Sequence, residues 1–323
     1  RTPERMGMRL PSVRDAFFSE IYRMTEQGED IVIVSADLGA PSLDEFRRKF
    51  PHRFVNVGIA EQNLLAVASG LALSGKHVIA FGLNPFPVTR AYDQLRNFLG
   101  DLKIPVTVAA LNAGTCASEC GYTHMPLEDF AMVRMIPSIK MVNPSDTAIA
   151  KAAARELVTS SQPTYVRFDK FLMEEHYQET EVDFQRGFFE MQASERFAVI
   201  TTGNFSSILK NSINTIKIQG ESPSLFDCYA FPLDMDLLAE RLKPFSCIVT
   251  LEDQMPCAGL GSLIMETLSA YGIVKRIRAL GVEPKHWEGR IMNRSAIYDE
   301  MGYDIKSLGK RLQKTFEEMM DND

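Results

Sequence analysis

Apolar positions along this chain switch repeatedly between helical and strand-like spacing. Val13, Phe17, Ile21 and Met24 recur every three to four residues, which predicts a helix over Val13–Glu26, closed by Gly28. The run Ile31-Val32-Ile33-Val34 is β-branched throughout with no polar alternation, as a strand covered on both faces of a parallel sheet requires. The same succession then repeats. A strand over 53–57 leads to a helix over 61–73 that ends at Gly75, and a strand over 78–81 leads to a helix over 89–99. Next come a strand over 106–111, a loop through Gly121, a helix near 127–133, a strand over 140–142, a helix over 146–158 and a strand over 164–168. From 171 to 196 the period is lost among charged and aromatic residues, and this stretch reads as a linker. A second series follows, with strands over 197–201, 224–229, 247–251 and 274–279 and helices over 206–216, 235–242, 260–271 and 305–318. Strands alternating with helices predict an α/β protein of two doubly wound domains, residues 1–170 and 197–323.

Composition agrees with that organisation. A chain of 323 residues is long enough for two domains, and 45% hydrophobic with 24% charged residues is the balance of a packed globular protein. The net charge of −7, with Lys and Arg scattered, argues against nucleic acid as a partner. No apolar run approaches the roughly 18 residues of a membrane span, and residues 1–10 lack the apolar core of a signal peptide, so the expected location is cytoplasmic. The cysteines at 116, 120, 228, 247 and 257 are odd in number and dispersed, which reads as reduced thiols with no metal site. Phosphate-loop, zinc-protease and nucleophile-elbow motifs are missing. Ala258-Gly259-Leu260-Gly261 follows a strand and opens a helix; the spacing suits tight strand-to-helix packing better than an anion site.

The segment 54–97 carries the candidate chemistry. It places one carboxylate, Glu61, at the first turn of an otherwise apolar helix, just past the end of a buried strand. Ligands of α/β domains gather at that edge of the sheet, although a lone glutamate there also simply complements the helix macrodipole. The pattern Val57-Gly58-Ile59-Ala60-Glu61, with Gly70 further along the helix, resembles the pyrimidine-binding domain of transketolases and 1-deoxyxylulose-5-phosphate synthases. Other matches run in order: Arg14, Ser35-Ala36-Asp37-Leu38, Phe86 and Tyr92, Thr123-His124, Asn143-Pro144-Ser145-Asp146, and Arg167. The resemblance extends over nearly the whole chain, the second half being similar to the transketolase C-terminal domain.

That resemblance implies thiamine diphosphate as cofactor. Glu61 matches the glutamate that hydrogen-bonds N1′ of the aminopyrimidine and favours its imino tautomer, an apolar setting helping it to share a proton with the ring. Phe86, Tyr92 and Ile59 match residues packed around that ring, and Asp37 and Leu38 fall in the same cofactor-binding set. His124 matches the histidine facing substrate oxygens, while Arg14 and Arg167 match arginines on the substrate phosphate. His52, His77, His176 and His286 match nothing catalytic. Two departures fall in the substrate set: Cys120, beside Glu119, stands where an Asp is usual, and Asn112 and Ala113 stand where the family places a His or an Arg. No Gly-Asp-Gly starts a magnesium motif, so the expected partner is a subunit carrying the diphosphate-binding domain and holding most of the Mg2+. The implied protein is the pyrimidine-side subunit of a split transketolase that moves a two-carbon ketol unit between sugars or sugar phosphates and self-associates through both its domains. Alternatives are a synthase-like subunit, favoured by Arg90-Ala91-Tyr92-Asp93-Gln94, a 2-oxo acid dehydrogenase beta subunit, and a non-catalytic structural partner.

Overall fold

The computed structural model describes residues 12–170, 175–192, 194 and 196–321. Ser12 caps the first helix, α1 (Val13–Glu26), accepting from the Asp15 amide. It leads into β1 (Ile31–Ser35), α2 (Asp44–Lys49), β2 (Phe54–Asn56), α3 (Glu61–Leu73) and β3 (His77–Leu83). The helix predicted over 89–99 is three pieces: α4 (Phe86–Thr89), α5 (Tyr92–Gln94) and a π-helical turn, Leu95–Asp101. Pro85 and Pro87 move the start forward, since proline suits a first helical turn, and the break between α4 and α5 falls at Arg90. The first unit continues with β4 (Val106–Leu111), α6 (Asp129–Arg134), β5 (Lys140–Val142), α7 (Thr147–Thr159) and β6 (Thr164–Phe168).

The expected linker is in part a sheet strand. Residues 171–174, 193 and 195 lie outside the described set, but β7 (Phe188–Gln192) pairs antiparallel with a later strand. Then follow β8 (Phe197–Thr201), α8 (Asn204–Lys210), β9 (Ser224–Cys228), β10 (Ala230–Phe231), α9 (Met235–Leu242), β11 (Cys247–Leu251), α10 (Leu260–Ala270), β12 (Arg276–Leu280), α11 (Arg294–Met301) and α12 (Leu308–Met320). The seven-stranded sheet runs β10-β5-β6-β4-β3-β1-β2 and the five-stranded sheet β12-β11-β8-β9-β7. Within them only β10 on β5 and β7 on β9 are antiparallel. Because β10 comes from the second half yet pairs with β5, the division between the two units is a shared sheet edge and not a free tether. No helix among the described residues is long and apolar enough to cross a membrane.

Packing follows the alternation of the strands. Phe17 and Phe18 of α1 pack edge-on or tilted against each other and against Phe168 and Phe81, centroids 4.8–5.3 Å apart, covering one face of the first sheet. On the other face Leu64, Leu65 and Ala68 of α3 are fully buried. Phe130 meets Phe231 edge-on at 4.9 Å, carrying the core across into the second unit. Buried ions join the units as well: Arg294 of α11 reaches Asp169 at 2.7 Å and Asp253 at 2.9 Å, and Asp253 also accepts from Thr115 at 2.8 Å. Gly114, at φ +54°, makes this approach possible, because a Cβ there would lie 2.0 Å from the Asp253 carbonyl oxygen.

The glycine cluster 258–261 receives a carboxylate of the chain itself. Glu252, just past β11, accepts from the amides of Leu260 at 2.7 Å and Gly261 at 3.0 Å at the start of α10, and from Gln254 at 2.7 Å. A Cβ on Gly259 would stand 2.1 Å from that carboxylate, and one on Gly261 would stand 2.6 Å from Ala279, so the glycines serve close packing. Burial pushes the Glu252 carboxyl up from 4.5 to about 7, against the pull of those donors. The folded chain thus holds this proton more tightly than the unfolded one. The resulting stabilisation is complete below pH 4.5 and is lost as pH rises through about 7, a difference of about 3 kcal/mol. Urea unfolding at pH 5 and pH 8 is expected to show a fall in wild-type stability of that order from this group, and Glu252→Gln is expected to flatten it.

Candidate active site at the carboxyl edge of the first sheet

The site is built from turns at the carboxyl ends of β1, β2, β3 and β4. Gly58, at φ +75°, lets the chain turn sharply from β2, and Ala60 is the N-cap from which α3 begins at Glu61. Asn56 ties this turn to the end of β1: its Oδ1 accepts from the amides of Gly58 (2.9 Å) and Asp37 (3.1 Å), and its Nδ2 donates to the Asp37 carboxylate (2.9 Å). Ser35 holds Leu38 by a reciprocal pair, 2.6 Å to its carbonyl and 2.9 Å from its amide. Asp37 and Leu38 therefore sit beside the turn that delivers Glu61.

Glu61 itself is buried, its side chain 3% exposed, yet it lies next to solvent-facing groups. Its Oε2 accepts from Nη1 of Arg90 at 2.6 Å. The Arg90 guanidinium lies over the Phe86 ring, 4.6 Å from its centroid. His124 meets Phe86 edge-on, centroids 5.4 Å apart and planes at 87°, and its Nδ1 is 2.9 Å from the Thr123 hydroxyl. Glu61, Arg90, Phe86 and His124 thus form one contiguous set drawn from three separate segments of the chain: the head of α3, α4 with its C-cap, and the turn at 122–124. Ile59, two residues before Glu61, is 74% exposed at the rim.

Other sequence-predicted residues have their own partners. Arg167, matched by the resemblance to a phosphate arginine, is enclosed at 2% exposure, with Nε 2.6 Å and Nη2 2.9 Å from the Asp129 carboxylate. Asp129 also accepts from Tyr165 at 2.6 Å and Asn84 at 2.8 Å. Burial, then the Asp129 charge, pushes the Tyr165 hydroxyl well above its ordinary range and keeps it a donor. Arg14 is held by its neighbour Asp15 through contacts of 2.9–3.0 Å. The Tyr92 hydroxyl donates to the Met132 carbonyl of α6 at 3.1 Å. Asn112 is buried in the left-handed region at φ 75°, its Oδ1 3.7 Å from the Cys116 sulfur. Cys120 is exposed, and Glu119 pairs with Lys170 at 2.6 Å.

Sequence reasoning named Arg90 only within its pentapeptide and missed Asp129 altogether. The available signal for Arg90 was its position four residues after Phe86, close to one helical turn. For Asp129, a buried arginine on a central strand needs an acid, but nothing in the chain says which.

The position between the Glu61 carboxylate and the Phe86 ring, where the Arg90 guanidinium lies, bears on the aminopyrimidine that the resemblance implies. It already accommodates a planar, nitrogen-bearing group, which donates to the carboxylate and lies on the aromatic ring. A flat aminopyrimidine asks for the same two contacts, so the residues present fit it.

Comparison with known proteins bears on the same segment. Residues 10–175, more than half of the chain, match the family described as transketolase, pyrimidine binding domain. The transketolase C-terminal section of Methanocaldococcus jannaschii is 29% identical over 310 residues, covering 94% of this chain and 95% of that protein. A 1-deoxy-D-xylulose-5-phosphate synthase of Corynebacterium diphtheriae is 28% identical over 328 residues, covering 95% of this chain but 49% of the synthase, so the chain spans about half of that relative's length. Among solved structures, a split-gene transketolase, described as an inactive beta4 tetramer, superposes with a TM-score of 0.81 at 25% identity, covering 94% of this chain and 98% of that one. The chain belongs to the transketolase pyrimidine-binding domain family.

Proposed function

We propose that this chain is the pyrimidine-side subunit of a thiamine-diphosphate-dependent transketolase, acting with a partner that carries the diphosphate-binding domain and its Mg2+. The observation that carries this reading is the buried Glu61 carboxylate at the carboxyl edge of a parallel sheet, joined through Arg90 to the Phe86 ring, which His124 meets edge-on. When bound, the cofactor supplies the electron sink for a two-carbon ketol unit. Glu61 holds the proton at N1′, and its burial keeps water from competing for that hydrogen bond. Phe86 supplies the stacking face. The Thr123 hydroxyl orients the His124 imidazole through Nδ1 and leaves Nε2 for a substrate oxygen. Ile59, 74% exposed two residues before Glu61, is an apolar side chain suited to a subunit contact beside the site.

The decisive experiment reconstitutes the chain with a diphosphate-domain subunit, thiamine diphosphate and Mg2+, and measures two-carbon transfer from a panel of ketoses and ketose phosphates. Turnover is expected only when all components are present. Turnover by the chain unaided would overturn the partner requirement, and its absence across the panel would overturn the activity. Pyruvate plus an aldehyde in the same assay tests the synthase reading that Arg90-Ala91-Tyr92-Asp93-Gln94 favours.

A further inference from the structure

We infer that Arg90 is a built-in mimic of the cofactor ring, seated on Glu61 and Phe86 while the chain has no cofactor and displaced when the aminopyrimidine binds. This rests on the thiamine diphosphate reading above.

The geometry is that of a substitute and not of an ordinary surface ion pair. A guanidinium is flat, rich in N–H donors, and stacks on aromatic faces. Arg90 uses both properties at once, donating to Glu61 at 2.6 Å and lying 4.6 Å from the Phe86 centroid. A ring hydrogen-bonded to the same carboxylate and stacked on the same phenyl face would need the same volume, so the two occupants exclude each other. The exchange needs no backbone change. The Arg90 amide donates to the Phe86 carbonyl at 3.1 Å, its carbonyl accepts from Gln62 at 3.4 Å, and neighbouring Ala91 is fully buried. The side chain, by contrast, is 48% exposed and can turn outward into solvent.

The arrangement has a physical purpose. Glu61 is buried at the head of the largely apolar helix α3, where an unpaired carboxylate is costly. Arg90 neutralises that charge and keeps the Phe86 face covered until the ring arrives. Apparent cofactor affinity is then lower than intrinsic affinity by the fraction of molecules in which the seat is open.

Two measurements test this. In the chain alone, thermal melts of wild type, Arg90→Met, Glu61→Gln and the double variant form a cycle. Arg90→Met is expected to lower the melting temperature in the wild-type background and to have a clearly smaller effect in the Glu61→Gln background, where only the ion pair is already gone; additive effects would overturn the inference. In the reconstituted complex at saturating Mg2+, titration with thiamine diphosphate followed by intrinsic fluorescence is expected to show Kd about tenfold lower for Arg90→Met, as removal of an occluding group predicts. Equal or weaker binding by the variant, with wild type binding normally, would overturn the inference and leave the cofactor reading standing. Failure of both proteins to bind would bring down both.

Discussion

Glu61→Gln is expected to reduce two-carbon transfer by roughly two to four orders of magnitude, the range of a positioned proton-transfer group, while the melting temperature of the chain holds or rises. Glutamine has nearly the same shape and keeps an acceptor, so the start of α3 survives and the Arg90 guanidinium, still charged, donates to a neutral amide oxygen. What disappears is the capacity to hold a proton at N1′. Because Glu61 is 3% exposed, the substitution also removes a charge from a poorly hydrated place, which relieves the fold. A carboxylate retained only for structure would behave in the opposite way, losing stability and leaving turnover of the surviving protein intact. Activity of the reconstituted complex and a thermal melt of the isolated chain distinguish the two.

Arg167→Met is expected to cost about 3–5 kcal/mol of folding stability, the usual consequence of removing one partner from a buried ion pair. Asp129, fully buried, would keep the Tyr165 and Asn84 hydrogen bonds at 2.6 and 2.8 Å but lose its countercharge. Adding Asp129→Leu is expected to recover part of that loss, since an apolar pair avoids the stranded carboxylate. Urea midpoints of the single and double variants measure both effects. Were Arg167 a phosphate ligand, Arg167→Met would instead raise KM for phosphorylated ketoses over unphosphorylated ones at unchanged urea midpoint.

How far the sequence could be read depended on whether a feature was local. Elements with one dominant period were legible to the residue: Val13–Glu26, Glu61–Leu73, Val106–Leu111, Thr164–Phe168 and Met235–Leu242 are predicted and observed with the same bounds. Features set by contacts far along the chain were not. The strand pair β10–β5 is two residues long and has no period of its own, so Ala230–Phe231 joins the first sheet only because Met141 and Val142 are there to receive it. Helix α11 has a polar composition, with Ile297, Tyr298 and Met301 buried only once Arg294 is drawn to Asp169 and Asp253. The broken helix after Phe86 likewise combined apolar spacing with a break at Arg90 that spacing cannot show.

By itself, the order of amino acids determined the alternation of strands and helices, the position of Glu61 at the head of an apolar helix, and the family pattern around it. Those depend on side-chain period and neighbouring residues, which a one-dimensional reading contains. Only the tertiary structure decided which cation meets which acid: Arg167 goes inward to Asp129, Arg14 turns to Asp15, and Arg90, 29 residues from Glu61, takes the Glu61 carboxylate. Arginines are chemically equivalent along a chain. Their partners are chosen by distances across the sheet edge, and those distances exist only once the strands are in register.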